Sequence, residues 1–239
     1  GPAREGEAPV ITTESLLAEV AALPSPFRRD EPRVSSISYC ARKQVAFAIG
    51  RIEADIPQVL ARAGHSSELL TTAELRRVRP GLHAQVAVPT SLPGTYCHPD
   101  LLILPEWHFC EHKNTNEAWL SRAERPRPQN YEQALLSWHF WHQARYCLTA
   151  DGEILEGVPR TAEIYYYGRE SHGVARRSFP IRYDANKARR LADRFEDIGA
   201  HIQMRALPPR PFIRPSWECR NCALAPECWG GPIERSDSC

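Results

Sequence analysis

The spacing of apolar residues predicts helices in some segments of the chain and strands in others. The pattern predicts helices over residues 14–23, 39–49, 53–62, 129–146 and 185–204. It predicts strands over residues 84–88, 101–104, 108–113, 162–167 and 178–183. We expect Ser38 and Asp184 to cap helices, and Gly50 to end one. A short connection, Pro105 to Trp107, separates two of the strands and predicts an antiparallel hairpin.

Proline clusters predict how the chain is divided. Prolines concentrate within residues 24–32 and 208–215. We therefore expect an N-terminal helix and tether over residues 1–33 and a single core over 34–207. A Pro-rich arm and cysteine-rich tail over 208–239 should pack with the region around Cys40. The 239 residues, 42% of them hydrophobic, are enough to bury such a core.

Composition narrows the class of protein without identifying it. The formal net charge is only +1, so any contact with nucleic acid must come from local basic clusters. No apolar run approaches the roughly 18 residues of a membrane span, and we expect no membrane partner. We see no secretion signal. Eight cysteines and nine histidines then favour a cytoplasmic protein with a metal or cluster site over a disulfide scaffold, and a viral protein would act in the host cytoplasm.

Asp100, Glu111 and Lys113 form the first candidate site. Alternate side chains of a strand share a face, so Glu111 and Lys113 should point the same way, with Asp100 beside them on the neighbouring strand. Two carboxylates suit Mg²⁺ or Mn²⁺, and the backbone carbonyl of His112 is a further candidate ligand. A lysine beside the metal can position water and offset charge on a phosphate. The site thus suits phosphodiester hydrolysis, although a solvated hairpin with an ion pair gives the same spacing.

Four cysteines form the second candidate site. Cys219, Cys222 and Cys228 have the spacing of metal ligands. Cys40 is the best fourth candidate, because a helix N-terminus and the basic Arg42 and Lys43 beside it favour a thiolate. Zinc is the alternative to an iron–sulfur cluster, although a Cys₄ zinc site generally pairs two C-x-x-C knuckles and this chain has one. A disulfide suits a cytosolic protein least. The other cysteines are expected to be buried structural thiols (Cys97, Cys110 and Cys147) or a free terminal one (Cys239).

The two sites together resemble the RecB-like iron–sulfur nucleases of the PD-(D/E)XK superfamily, which include CRISPR-associated adaptation exonucleases and the AddB nuclease domain. The resemblance spans roughly residues 34 to 230. Its motifs are the segment from Ser36 to Lys43, then Pro99-Asp100, Glu111-His112-Lys113, Gln133 on the long helix, and the three tail cysteines. Each motif alone is weakly specific, but their order and spacing are more so.

The resemblance implies an α/β fold with a restriction-endonuclease-like core: a mixed central sheet flanked by helices, followed by an iron–sulfur tail. It implies a 4Fe-4S cluster on Cys40, Cys219, Cys222 and Cys228, and Mg²⁺ or Mn²⁺ on Asp100 and Glu111. Lys113 then corresponds to the catalytic lysine, and Gln133 to the glutamine of a Q-x-x-x-Y helix. The implied activity is an exonuclease on single-stranded DNA ends, with 5′-to-3′ polarity favoured.

Two positions depart from the family pattern. The tyrosine of the Q-x-x-x-Y helix falls at Ser137. A histidine that often follows the first cysteine, three residues past a glycine, is replaced by Glu53, which is a candidate metal ligand or an exposed helix residue. These departures leave two other functions open: a DNA-binding protein whose nuclease site has decayed, and a zinc-tailed nucleic-acid-binding module.

Basic and aromatic residues are candidates for DNA contacts through phosphate neutralisation and base stacking. Solvated arginines and tyrosines packed in the sheet are the alternatives. The basic candidates are Arg42, Lys43, Arg76, Arg77, Arg79, Arg176 and Arg177, and the aromatic ones are Trp107 and the run Tyr165 to Tyr167.

Overall fold

The computed structural model describes residues 31–52, 81–168, 175–210, 217–219 and 222–230. The helices predicted over 14–23 and 53–62 lie outside these residues. The part of the tail that is described contains two short elements, a 3-10 turn at Trp217–Cys219 and a helix at Ala225–Trp229.

Within the described residues, nine strands form one large sheet and two small ones. They are β1 (Leu82–Ala84), β2 (Val88–Pro89), β3 (Tyr96–Cys97), β4 (Leu101–Ile103), β5 (His108–Thr115), β6 (Tyr146–Leu148), β7 (Ile154–Glu156), β8 (Thr161–Gly168) and β9 (Arg176–Ile181). The large sheet has the order β1-β4-β5-β8-β9, and β2 pairs with β3 and β6 with β7.

The hairpin predicted around Pro105 is confirmed. Strands β4 and β5 are antiparallel, with Leu101 opposite Cys110 and Ile103 opposite His108. Strand β5 also pairs with β8, in parallel, while the remaining pairs of the sheet are antiparallel. The sheet is therefore mixed, with β5 at its centre.

The described helices are α1 (Ala41–Ala48), α2 (Glu117–Leu120), α3 (Pro128–Ala144), α4 (Ala185–Gln203) and α5 (Ala225–Trp229). Helix α3 begins with a proline, whose fixed φ suits the first turn. Helix α4 is capped as predicted, because the Asp184 carboxylate accepts the backbone N–H of Lys187 at 2.9 Å. Gly50, with a φ of +78°, ends α1 as predicted. Among these helices none is long and apolar enough to cross a membrane.

The main core lies between one face of the large sheet and helices α3 and α4. Trp138 and Trp141 of α3 pack against Phe109 of β5, with ring centroids 5.9 and 6.2 Å apart. Phe140, on the same helix, packs against Phe195 of α4 at 5.2 Å. Helix α3 is therefore buried over its middle part, from Ala134 to Trp141, where only His139 is half-buried. A smaller apolar cluster, Leu82, Ala84, Leu101 and Cys110, lies on the opposite face of the sheet.

Three predicted elements differ from those observed. The strand predicted over 84–88 is interrupted at Gln85, whose φ of +50° turns the backbone out of the extended conformation. Helix α1 begins at Ala41 with Cys40 as its N-cap, and the Ser38 hydroxyl donates to the Gln129 carbonyl instead. The long helix ends at Ala144, because Arg145 adopts a left-handed conformation and Tyr146 enters β6.

Candidate active site and cysteine cavity

Asp100, Glu111, Lys113 and Gln133 meet at one place in the fold. Glu111 and Lys113 alternate along β5 as predicted, and Asp100 directly precedes β4. The Lys113 Nζ lies 3.0 Å from Glu111 Oε2 and 3.8 Å from Asp100 Oδ2. Helix α3 adds Gln133, whose Nε2 donates to the same Glu111 oxygen at 3.0 Å. The four residues form a connected polar cluster between the hairpin and α3.

Hydrogen bonds hold the Asp100 carboxylate from two sides. The backbone N–H of His112 donates to Oδ2 at 2.7 Å, and the Gln85 side chain donates to Oδ1 at 3.1 Å. The backbone N–H of Gln85 also donates to the main-chain oxygen of Asp100 at 2.9 Å. Both oxygens of this carboxylate are therefore fixed in direction.

Glu111 is the most unusual group in the cluster. Its side chain is fully buried, and its Oε1 has no hydrogen-bond partner. Burial raises the pKa of Glu111 to about 8, opposed by the charge of Lys113 and reinforced by that of Asp100. A buried carboxyl oxygen without a partner is costly, so the site is incomplete by the usual rule of polar satisfaction.

The donor set fits a hard divalent cation. Mg²⁺ is usually bound through one or two carboxylates and keeps several waters, so Asp100 and the open Glu111 oxygen match its needs. Within the described parts of the chain, no group of three or more His, Cys, Asp or Glu residues is arranged to hold a metal ion. Any further ligand would therefore be water, a backbone carbonyl or substrate. Glu53, the candidate ligand on the predicted helix, lies outside the described residues.

His112 contacts the site through its backbone and packs through its ring. Its backbone N–H donates to the Asp100 carboxylate, and its ring contacts Tyr165, at 5.3 Å between centroids. Burial lowers the pKa of His112. The ring therefore packs against neighbouring aromatic residues of β8. The role predicted for its carbonyl as a metal ligand remains a prediction.

Ser137, at the position of the family tyrosine, is buried one turn along α3 from Gln133. It hydrogen-bonds the thiol of Cys97, and burial raises the pKa of that thiol to about 12. Cys97 is a buried thiol as predicted.

The four predicted cluster cysteines line one cavity. Cys40 comes from the N-cap of α1, Cys219 from the 3-10 turn, and Cys222 and Cys228 from the tail around α5. The seven cysteines that the structure describes are all free thiols. The fold thus brings cysteines more than 170 positions apart in the sequence to one cavity, and the cluster predicted to join them stays a prediction.

Charged contacts fasten α1 to the tail around this cavity. Glu227 pairs with Arg42 at 2.6 Å and with Arg51 at 3.1 Å. The Glu218 carboxylate accepts the backbone N–H of Cys40 at 2.8 Å. Arg210 donates to the Cys228 carbonyl at 2.8 Å and lies over the Trp229 ring. The contacts join both ends of the described chain without using the thiols.

The expected thiolate at Cys40 is not favoured by its surroundings. Burial raises its pKa, and this outweighs the backbone hydrogen bonds at the start of the helix that lower it. The thiolate was predicted from the helix N-terminus and the basic neighbours of Cys40, and the sequence does not show how far this thiol is buried. A thiolate at Cys40 would therefore need a bound metal to displace the proton.

The basic candidates fall into three groups. Arg42 is committed to Glu227 and to the Pro208 carbonyl, so it serves the fold, and Lys43 lines the cysteine cavity. Arg176 and Arg177 are exposed on β9, and Arg177 donates to the Ala123 carbonyl. The candidates Arg76, Arg77 and Arg79 lie outside the described residues.

Among the aromatic candidates, Tyr166 is buried in the core, and Trp107 makes an edge contact with Trp141 at 6.5 Å. Packing accounts for both. Tyr165 and Tyr167 are half-buried beside the His112 ring.

Gln85, Glu218 and Glu227 contact the two sites but were not predicted. Each acts on a residue distant in sequence, from 15 positions for Gln85 and Asp100 to 185 for Glu227 and Arg42. For the two glutamates a weak signal existed, since each directly precedes a cysteine of the tail. For Gln85 the sequence held none, because it continues a regular strand-like alternation.

Comparison with known proteins gives structural relatives only. No protein-family model and no curated protein sequence matches the chain. A solved structure titled as the crystal structure of SSO0001 superposes with a TM-score of 0.53 at 15% identity, covering 94% of this chain and 98% of that one. This similarity shows a shared fold along nearly the whole chain.

An alkaline exonuclease from Laribacter hongkongensis, LHK-Exo, is a more distant neighbour. It superposes with a TM-score of 0.48 at 12% identity, covering 74% of this chain and 90% of that one. Its complex with dAMP gives the same score and identity, with 77% and 91% covered. The structural neighbours therefore include an exonuclease, and the mixed α/β architecture implied by the family resemblance is observed.

Proposed function

We propose that this chain is a metal-dependent deoxyribonuclease that removes nucleotides from the ends of single-stranded DNA. The observation that carries the proposal is Glu111, a fully buried carboxyl group with one unpartnered oxygen, held beside Asp100 and Lys113. A protein retains such a costly group where something binds it, and the group next to it is a second carboxylate.

Asp100 and Glu111 would hold Mg²⁺ or Mn²⁺, with the His112 carbonyl as a further candidate ligand. When bound, such an ion supplies an activated water and neutralises charge on a phosphate. The hydrogen bonds of Gln85 and of the His112 N–H would keep Asp100 in its orientation, and that of Gln133 would keep Glu111 in its own. Hydrogen bonds to ligating carboxylates of this kind tune metal affinity.

Lys113 supplies the positive charge of the proposed site. Its Nζ lies against both carboxylates, and 20% of its side chain is exposed, so it reaches the mouth of the cluster. An ammonium at this place would stabilise the charge that grows on a phosphate during hydrolysis. The same contact offsets part of the repulsion between the two carboxylates when no cation is bound.

The preference for single-stranded ends rests on the family resemblance, which also favours 5′-to-3′ polarity. The near-neutral charge of the chain agrees with an enzyme that holds DNA at a few points. Arg176 and Arg177, exposed on β9, are candidates for such contacts.

We further propose that Cys40, Cys219, Cys222 and Cys228 bind a 4Fe-4S cluster with a structural role. The support is that all four line one cavity and come from both ends of the described chain. Arg42, Lys43 and Arg210 line the same cavity and would offset the negative charge of four thiolates. A single zinc ion needs its sulfur ligands converged at about 2.3 Å, whereas a cluster spreads them over several irons.

The experiment is a cleavage assay on single-stranded DNA labelled at either end, with Mn²⁺ or with EDTA. We expect wild type to release short products from the 5′ label first, and only with the metal. Asp100→Asn, Glu111→Gln and Lys113→Met should each lose more than about 100-fold in rate. Gln143→Glu, an exposed change on α3, is the matched control and should keep full activity.

The two rival functions give different results in the same assay. A protein with a decayed site would bind the DNA and leave it intact at every Mn²⁺ concentration. A zinc-tailed binding module would also leave it intact, and would be colourless with bound zinc. Cleavage that survives in well-folded Glu111→Gln would contradict the proposed site.

A further inference from the structure

Gln85 occupies an unusual backbone position next to the proposed site. It lies between β1 and β2 with a φ of +50°, a region that residues other than glycine and asparagine seldom enter. Residues 82–88 otherwise follow a strand-like alternation, so the strand would continue if nothing opposed it. Strained backbone of this kind persists only where surrounding contacts over-determine it.

The turn at Gln85 allows this residue to make two hydrogen bonds to Asp100. Its backbone N–H donates to the Asp100 main-chain oxygen at 2.9 Å, and its side-chain Nε2 donates to Oδ1 at 3.1 Å. The backbone bond fixes the position of Asp100, and the side-chain bond fixes the rotation of the Asp100 carboxylate. A residue in a continuous strand would have directed its side chain to one face of the sheet instead.

Each oxygen of the Asp100 carboxylate then has a different donor. Oδ1 accepts from Gln85, and Oδ2 accepts from the His112 N–H at 2.7 Å. The His112 amide belongs to β5 and holds the carboxylate toward Glu111. Without the Gln85 amide, Oδ1 loses its hydrogen bond, and the contacts that remain, with the His112 N–H and at 3.8 Å with the Lys113 ammonium, are both on Oδ2.

We infer that Gln85 is a positioning residue that orients the Asp100 carboxylate toward the cation site shared with Glu111. This inference rests on the proposed function, because it assigns Gln85 a role in metal binding there. A hydrogen bond to a ligating carboxylate typically changes metal affinity by about 10- to 100-fold. The rival explanation is that Gln85 only closes the turn between β1 and β2.

Two substitutions separate these explanations. Gln85→Gly removes the side-chain amide and relaxes the left-handed backbone, so the turn and its N–H bond are kept. Gln85→Met keeps the length and volume of the side chain and removes only its hydrogen bond. Gln143→Glu, on the exposed side of α3, is again the control. A role in closing the turn alone predicts no loss in the glycine variant.

The first readout needs no metal. The His112 amide resonance, recorded in EDTA by ¹⁵N–¹H NMR, reports the carboxylate that accepts its proton. We expect it to shift and its hydrogen exchange to speed up in both Gln85 variants, while the control matches wild type. An unchanged resonance in both variants would overturn the positioning role.

The second readout is the dissociation constant for Mn²⁺, measured by electron paramagnetic resonance without DNA. We expect it to rise at least about tenfold in both variants, with cleavage restored by excess Mn²⁺. Wild type that binds no Mn²⁺ would contradict the proposed function itself. Wild type and variants that bind Mn²⁺ equally well would leave that function standing and overturn only the role of Gln85.

Discussion

Glu111 shows at the scale of one residue how a site can be built at the expense of stability. Its carboxyl group is fully buried, and its pKa is raised to about 8, first by burial. An unfolded chain would ionise the same group near the ordinary value of about 4.3. Between these two pH values, the Glu111 carboxyl group therefore keeps its proton in the folded state and has lost it in the unfolded state.

The difference in the pKa of Glu111 between the folded and unfolded states determines the direction in which stability changes with pH. Below about pH 4.3 the contribution of Glu111 to stability is fully present, and it is lost as the pH rises toward 8. In EDTA at pH 8, we expect Glu111→Gln to have a higher free energy of unfolding than wild type, by on the order of 1–3 kcal/mol. The difference between the two proteins should shrink steadily toward pH 5.

Urea unfolding of both proteins across this pH range measures the effect. Comparing each pair at the same pH removes the contributions of other titrating groups. A gap that stays constant from pH 5 to 8 would show that Glu111 titrates normally and is not the buried group described above. Gln143→Glu serves as the surface control in this series too.

Residue-level prediction from the sequence worked where local geometry decides which side chains meet. Alternation along a strand was enough to place Glu111 and Lys113 on one face, and the hairpin brought Asp100 beside them. It failed for Gln85, because a left-handed residue in an alternating segment leaves no trace in the residue pattern. It also misjudged Cys40, whose burial depends on a tail 178 positions away at Glu218.

At the scale of elements, one hydroxyl of the sheet accepts two hydrogen bonds from the start of α3. Tyr166 of β8 is buried, and its hydroxyl accepts from the Asn130 side chain at 2.7 Å and from the Arg127 N–H at 3.1 Å. These bonds join the first turn of α3 to the sheet one turn before Gln133. They therefore contribute to holding Gln133 against Glu111.

We expect Tyr166→Phe to lower the free energy of unfolding by about 1–2 kcal/mol, because two half-buried donors lose their acceptor. The matched control is Tyr131→Phe on the same helix, where the hydroxyl makes one long, exposed bond of 3.4 Å to Arg182. Its loss should be well under 1 kcal/mol in the same urea titration. Equal losses would show that the Tyr166 hydroxyl does not anchor the helix.

The tail and the start of α1 together form the cavity that the four cysteines line. We expect Cys40→Ala, Cys219→Ala, Cys222→Ala and Cys228→Ala each to lose the brown colour of an iron–sulfur protein and to melt at lower temperature. The reason is that these four thiols line one cavity, whereas Cys97 lies beside Ser137. Cys97→Ala should therefore keep its colour, as read by absorbance and iron analysis. Normal iron content in Cys40→Ala would place the fourth ligand elsewhere.

At the scale of the whole molecule, the fold connects segments that sequence patterns cannot relate. Four strands of the large sheet, β4, β5, β8 and β9, and helices α1, α3 and α4 were predicted within a few residues, since each shows its own apolar spacing. The parallel pairing of β5 with β8 was not, because α3 and a small hairpin separate them along the chain. The β6–β7 hairpin was also missed, since its three-residue strands are too short to show a pattern.

The depth of the site suggests how DNA would approach it. Glu111 is fully buried and Asp100 is 9% exposed, so under the proposed function a scissile phosphate would have to reach them between the hairpin and α3. A free end of a single strand reaches buried groups more easily than the middle of a closed circle. We expect Mn²⁺-dependent release of acid-soluble nucleotides from linear single-stranded DNA and none from the circular form. Rapid nicking of the circle would contradict exonuclease action.

The proposed function requires that Asp100 and the open oxygen of Glu111 bind the cation that supports hydrolysis. Crystals soaked in Mn²⁺ and measured at the manganese absorption edge locate this ion without reference to activity. We expect an anomalous peak within coordination distance of Asp100 and Glu111 in wild type and none there in Glu111→Gln. A fully occupied manganese peak elsewhere, with none between these two carboxylates, would contradict the proposed function.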